Sequence, residues 1–82
     1  MLRSEQIRAA RALLGWRQED LALRAKVGIV TVRRLEAEDG PVMGNVSTVL
    51  RIQEAFEREG IRFIEDAATG AIGVSLEKKK KR

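Results

Sequence analysis

The chain of 82 residues contains no cysteine and no histidine. Without cysteine, neither a disulfide framework nor a cysteine-based zinc site is available. Without histidine, the commonest metal ligand and the commonest general base are both missing. Catalysis would have to rest on paired carboxylates, and the acidic residues of 35–77 show no pocket-like sequence context. An enzyme is therefore the least expected reading, and no cofactor or metal is called for. No apolar run approaches the roughly 20 residues that a membrane span needs. The opening stretch MLRSEQIRAA is polar and lacks the apolar region of a signal peptide. The expectation is a cytoplasmic location without a membrane partner. A chain this short makes one domain with a small core.

The net charge of +4 conceals a polarised chain. Residues 1–34 carry eight Lys/Arg against three Asp/Glu, net +5, while residues 35–77 carry three against nine, net −6. Lys78 to Arg82 then adds +5. A basic first half followed by an acidic second half is the grouping that a binder of polyanions needs. On charge alone, a merely solvated surface explains it as well.

What is present is mostly helical periodicity. Ser4 to Leu14 reads as a first helix, with Ser4 as N-cap and Ile7, Ala10, Leu13 and Leu14 as its apolar stripe. The residue three after Ser4 is Ile7, so no capping box is expected there. Gly15 ends the helix, and Trp16, the only Trp, is expected to pack over the helix ends. Gln18 to Ala25 reads as a second helix, Lys26-Val27-Gly28 as a turn, and Ile29 to Ala37 as a third helix. Leu21 and Ala22 face Val32 and Leu35 across the turn, which leaves Ile29, Val30, Thr31, Arg33 and Arg34 pointing outward. Glu38-Asp39-Gly40-Pro41 stops the third helix. After a loop to Asn45, a fourth helix runs from Val46 or Ser47 to Glu59. Asn45 or Ser47 caps it, and Val46, Val49, Leu50, Ile52, Ala55 and Phe56 form its buried side.

After Gly60 the period changes. Ile61 to Glu65 is short and rich in β-branched and aromatic residues, which predicts a strand. Asp66 to Gly70 is a turn, and Ala71 to Leu76 a return strand weakened by Gly73. Lys78 to Arg82 is a charge run, expected to be disordered. The chain divides into 1–60 as a helical domain, 61–77 as a β-hairpin and 78–82 as a basic tail. An exposed helix face bearing arginines has the size and charge to enter a DNA major groove.

The stretch GWRQEDLALRAKVGIVTVRRLEA resembles the helix-turn-helix of the phage-repressor and Cro-like family, the XRE-type bacterial regulators. The usual pattern there is W-S-Q-E-D-L-A-x-x-A-G-V-S-x-x-T-I-R-R-L-E. The resemblance covers about residues 4–59 and implies the five-helix repressor domain shortened by one helix. The fold class expected is mainly α: a four-helix repressor-like helix-turn-helix domain with a C-terminal β-hairpin.

The resemblance also implies roles. Gln18 would contact a DNA phosphate, with Arg17 beside it. Ile29, Val30 and Thr31 fall where bases are read, and Arg33 and Arg34 one turn further, Arg34 matching a base-reading position more closely. Gly44, Asn45 and Ser47 would touch the backbone of double-stranded DNA. Arg11 and Glu36 match a structural ion pair. Three positions depart from the pattern: Arg17 and Gly28 replace the usual Ser or Thr caps, and Lys26 replaces the turn glycine. Ile29 and Val30 cannot hydrogen-bond a base edge but can pack on thymine methyls. Direct readout is therefore expected to rest on Arg33 or Arg34 to guanine.

One such domain reads only a few base pairs, so a repressor-like regulator of this kind is expected to work as a homodimer on two half-sites. Residues 61–76 are the candidate dimerisation element, because a two-stranded hairpin has two open edges. The competing arrangement folds the hairpin back on the fourth helix of a monomer. A different function class also remains open: a protein-interaction module on the same fold, such as an antitoxin or anti-regulator, with another protein as partner.

Overall fold

The computed structural model describes residues 2–78. Four helices come first, α1 (Ser4–Leu14), α2 (Gln18–Ala25), α3 (Ile29–Glu36) and α4 (Val46–Glu57). Two strands follow, β1 (Ile61–Glu65) and β2 (Ile72–Leu76), paired antiparallel as a hairpin. Among the described residues no helix is long and apolar enough to cross a membrane. The expected basic tail lies outside the described residues from position 79 onward.

The helix ends follow local chemistry. The N-cap of α1 is Arg3 and not Ser4 as the sequence predicts. Ser4 is already helical and buried, and its Oγ donates to the Leu35 carbonyl at 2.6 Å. The Arg3 N–H, which would otherwise be an orphan, donates to Gln6 Oε1 at 3.0 Å. This is half of a capping box, because a guanidinium has no acceptor with which to return the bond. Arg17 repeats the device at α2, its N–H donating to Asp20 Oδ2 at 2.8 Å. Gly15 ends α1 at φ 67°, and Asn45 caps α4, its Oδ1 accepting from the Ser47 N–H at 2.8 Å.

Three boundaries are shorter than the periodicity predicts. Helix α3 ends at Glu36, with Ala37 as its C-cap. Helix α4 ends at Glu57, because the Glu59 and Gly60 N–H groups bond three residues back and tighten the chain into a turn. Strand β2 starts at Ile72, because the Ala71 carbonyl is used to close the turn by accepting the Asp66 N–H at 2.8 Å.

One core serves helices and hairpin together. Phe56, Ile7, Leu21, Ile52, Ile61 and Val32 are its largest fully buried side chains. Trp16 stacks on Phe56 at 5.5 Å between centroids, and Phe63 meets Phe56 edge-on at 5.9 Å. Leu13, expected in the α1 stripe, is largely exposed, since Ile7, Ala10 and Leu14 already fill the line facing the core. Val46 and Leu50, expected on the buried side of α4, are 73% and 50% exposed. At 100° per residue they fall with Gln53 and Glu57 on the side turned away from the buried line of Ile52, Ala55 and Phe56.

The hairpin is seated on the helices. Its inner side presents Ile61 and Phe63, opposite Leu76 and Val74 in the register. A buried glutamine on α1 fastens it: Gln6 Nε2 donates to the Ile64 carbonyl at 3.1 Å and to the Gly73 carbonyl at 3.0 Å. These two residues face each other across the ladder, so one amide holds both strands. The hairpin thus rests on α1 as well as α4, where the sequence suggested α4 alone. Gly60 makes the entry possible at φ 95°, for a Cβ there would lie 2.2 Å from the Glu77 carbonyl oxygen.

A second fastening joins the start of the chain to the segment after α3. The Ser4 N–H donates to Gly40 O and the Val42 N–H to Leu2 O, both at 2.9 Å. The Gly40 N–H donates to Glu5 Oε1 at 3.1 Å. Backbone N–H groups, of Glu5 itself and then of Gly40, together with the Arg3 guanidinium, hold the Glu5 carboxyl down at about 2.

Candidate nucleic-acid interface

Helix α3 has one buried line, Val32, Leu35 and Glu36, and one open face. Val30 is 71% exposed. Arg33 and Arg34 are exposed, and among the described residues neither guanidinium has a hydrogen-bond or ion-pair partner. Thr31 is half-buried. Ile29, expected to point outward, is also half-buried and packs against the core. It sits three residues before Val32, on the same side of the helix, so the periodicity that buries Val32 draws Ile29 inward. The first turn of α3 has no side-chain cap, since Gly28 precedes it. Its leading N–H groups are open to an acceptor.

The orientation of this helix is fixed from beneath. Glu36 is buried at the end of α3 and accepts from Arg11 Nε at 2.7 Å and Arg11 Nη2 at 2.8 Å. Gln18 Nε2, at the start of α2, donates to the same carboxylate at 3.1 Å. Arg11 Nη1 reaches on to the Trp16 carbonyl at 3.1 Å. One buried carboxylate therefore joins three helices, and a two-pronged guanidinium contact sets angle as well as distance. Arg8, one turn before Arg11, donates to the Glu36 carbonyl at 2.7 Å and pairs with Asp39. Sequence reasoning missed Arg8. The signal for it was the Arg8–Arg11 spacing on one helix face, set against the acids Glu36, Glu38 and Asp39.

The remaining candidates lie at helix starts. Arg17 is exposed, with its guanidinium free of protein partners among the described residues. Gln18 is half-buried, and its amide nitrogen is held by Glu36, so one N–H of the pair is already engaged. Asn45 spends its carbonyl oxygen on capping α4 and on the Ser47 hydroxyl at 2.6 Å, which leaves its NH₂ facing outward from the bonded side. Gly44 is exposed and lies over Leu35, whose Cδ2 would be 3.4 Å from an added Cβ. The loop before α4 thus rests on the underside of α3. Arg34 lines a cleft with Glu38, Asp39 and Met43, while Arg33 is clear of it.

Among the described residues no group of three or more acidic side chains is placed to hold a metal ion. No family model matches the chain, and no curated protein matches it.

Proposed function

We propose that the protein is a sequence-specific DNA-binding regulator, repressor-like, with α2 and α3 as the two helices of a helix-turn-helix and α3 in the major groove. The observation that carries this reading is the contrast on α3. Its inner end is clamped by Arg11, Gln18 and Glu36, while Arg33 and Arg34 on its outer face have no partner among the described residues. Rigid placement of unpaired arginines suits bidentate recognition of guanine O6 and N7. Val30 supplies an apolar contact for a thymine methyl. Arg17, the free N–H of Gln18, Gly44, Asn45 and Ser47 supply backbone contacts that position the domain without specifying sequence.

A homodimer through 61–76 belongs to the same reading. Among the described residues each strand of the two-stranded sheet has one edge without a strand partner, and Ile64 and Ile72 remain partly exposed. Pairing such an edge with its copy about a two-fold axis satisfies the open backbone groups and joins two domains, each with its own α3. The protein-interaction module is the second reading. It is favoured by apolar exposure at Val30, Met43 and Val46, which is unusual for a surface meant only for phosphates.

The test is a binding series on duplex DNA upstream of the protein's own gene, at several salt concentrations. Arg34→Ala is expected to relax preference at one base position, by about 1–3 kcal/mol of discrimination. Arg17→Ala, which removes a guanidinium outside the clamp, is expected to weaken all sequences alike. Base preference that survives in both Arg33→Ala and Arg34→Ala overturns the assignment. Affinity that stays flat as salt rises points instead to the protein partner.

A further inference from the structure

Between the C-terminal end of α2 and the second half of α4 lies an open cavity of about 420 Å³, lined by Arg24, Ala25, Lys26, Arg51, Glu54 and Arg58. Four of its six residues are cationic and one is acidic. Two of the cations are held in place. The Arg24 guanidinium lies 5.2 Å over the Trp16 ring and reaches Glu59 Oε2 at 3.3 Å. Arg58 Nη2 donates to the Arg24 carbonyl at 3.3 Å. The other two, Lys26 and Arg51, have no side-chain partner among the described residues.

Helix C-termini attract cations through their free carbonyls, and that alone often explains a basic cluster. Here three of the last four carbonyls of α2 are occupied. Ala22 O accepts the Val27 N–H, Leu23 O the Lys26 N–H, and Arg24 O the Arg58 side chain. Lys26 adds a separate observation. It is the only non-glycine with positive φ among the described residues, at 59°. Glycine takes this conformation freely and lysine does not. The ammonium returns no bond within the fold for that strain. The left-handed turn itself closes α2 as its C-cap, but glycine would serve there better, so the presence of a lysine with an unpaired ammonium points to a use of its charge.

We propose that this cleft binds a condensed phosphate chain, through Lys26 and Arg51 with Arg24 and Arg58 as the fixed guanidiniums. Arginine forks and a lysine point charge match adjacent phosphates, and the volume suits a small ligand and not a single ion. No aromatic face is open for a base, since Trp16 is covered by Arg24 and Phe56. The site therefore reads phosphates alone. It does not rest on the DNA-binding reading. Arg51 and Arg58 lie six and thirteen residues along α4 from Asn45, roughly 9 and 20 Å at the helical rise, away from the end assigned to the DNA backbone.

The test is a titration of the full chain with inorganic triphosphate at fixed ionic strength, followed by Trp16 fluorescence and calorimetry. The expected result is saturable one-to-one binding that weakens about three- to tenfold in Lys26→Gly and in Arg51→Ala. Sulfate at the same ionic strength should not reproduce it, and ATP should bind no more tightly than triphosphate. Lys26→Gly should also raise the thermal midpoint by releasing the left-handed strain, so weaker binding there is not a folding defect. Equal affinity in both variants, a response that never saturates, or an equal response to sulfate overturns the site. So does a clear preference for ATP. Competition between triphosphate and duplex DNA, with both variants losing DNA affinity to the same extent, assigns the cleft to the DNA backbone instead. A protein that binds no DNA at all leaves the triphosphate result standing.

Discussion

Replacing Arg11 with methionine keeps an unbranched stem in place and removes only the guanidinium. The Glu36 carboxylate, 3% exposed, then loses both charge-assisted bonds and retains only the Gln18 amide at 3.1 Å. The Trp16 carbonyl loses its donor as well. Removing one partner of a buried pair costs about 3–5 kcal/mol, because the other charge is left buried and unpaired. Arg11 is itself 19% exposed, so water can enter from its side and the lower figure applies, about 3 kcal/mol. A domain of this length holds roughly 4–12 kcal/mol in all. At about 4–8 °C per kcal/mol, the thermal midpoint should fall by roughly 12–24 °C. The assay is circular dichroism at 222 nm on heating and in urea at neutral pH. The double variant Arg11→Met/Glu36→Leu should recover most of the loss, since an apolar pair of similar volume is close to neutral. A loss below about 1 kcal/mol in Arg11→Met alone would refute the reasoning and shift the anchoring of α3 to Arg8.

Two further tests address the fastenings. Glu5 is held at about 2 against an ordinary 4.5, so between those values the unfolded chain binds more protons than the folded one. Its contribution to stability is present above pH 4.5 and is lost as pH falls toward about 2. Glu5→Gln should flatten that part of the urea midpoint against pH, and parallel curves for the two proteins would count against the Gly40 contact. Gly60→Ala should destabilise by at least about 1 kcal/mol more than Gly70→Ala. Both positions have positive φ, but only at Gly60 does the new Cβ meet backbone, the Glu77 oxygen at 2.2 Å. Equal urea midpoints for the two variants would refute this.

The helical layout was legible because its signals are local. Gly15 ends α1, Asn45 caps α4, and the shift to Ile61-Arg62-Phe63-Ile64 marks the first strand, each within a few residues of its cause. What escaped the sequence depends on neighbours distant along the chain. Gln6 reads as an ordinary polar helix residue until carbonyls 58 and 67 positions away are placed against it. Val46 and Leu50 read as core because apolar periodicity does not say how wide the covered side of a helix is. Ile29 is both the first residue of an exposed turn and three before a core valine, and packing decided between the two. In the candidate interface, the residue types on α3 were visible from the start. The engagement of Gln18 by Glu36 was not, because it depends on how three helices meet.

The Gln6 contacts also bear on how the chain reaches its final state. Synthesis delivers α1 before the strands, so the Gln6 amide stays in water until Ile64 and Gly73 exist to receive it. The helices assembled alone would leave that amide facing water and the position of Ile61 in the core vacant. The helical body is thus kept short of a comfortable stopping point until the hairpin arrives. Contacts this far apart in sequence also place a long loop closure late on the route. The hairpin therefore closes the core that the helices leave open, and a ribosome-bound fragment ending near residue 60 should remain open to proteases where the released protein is resistant.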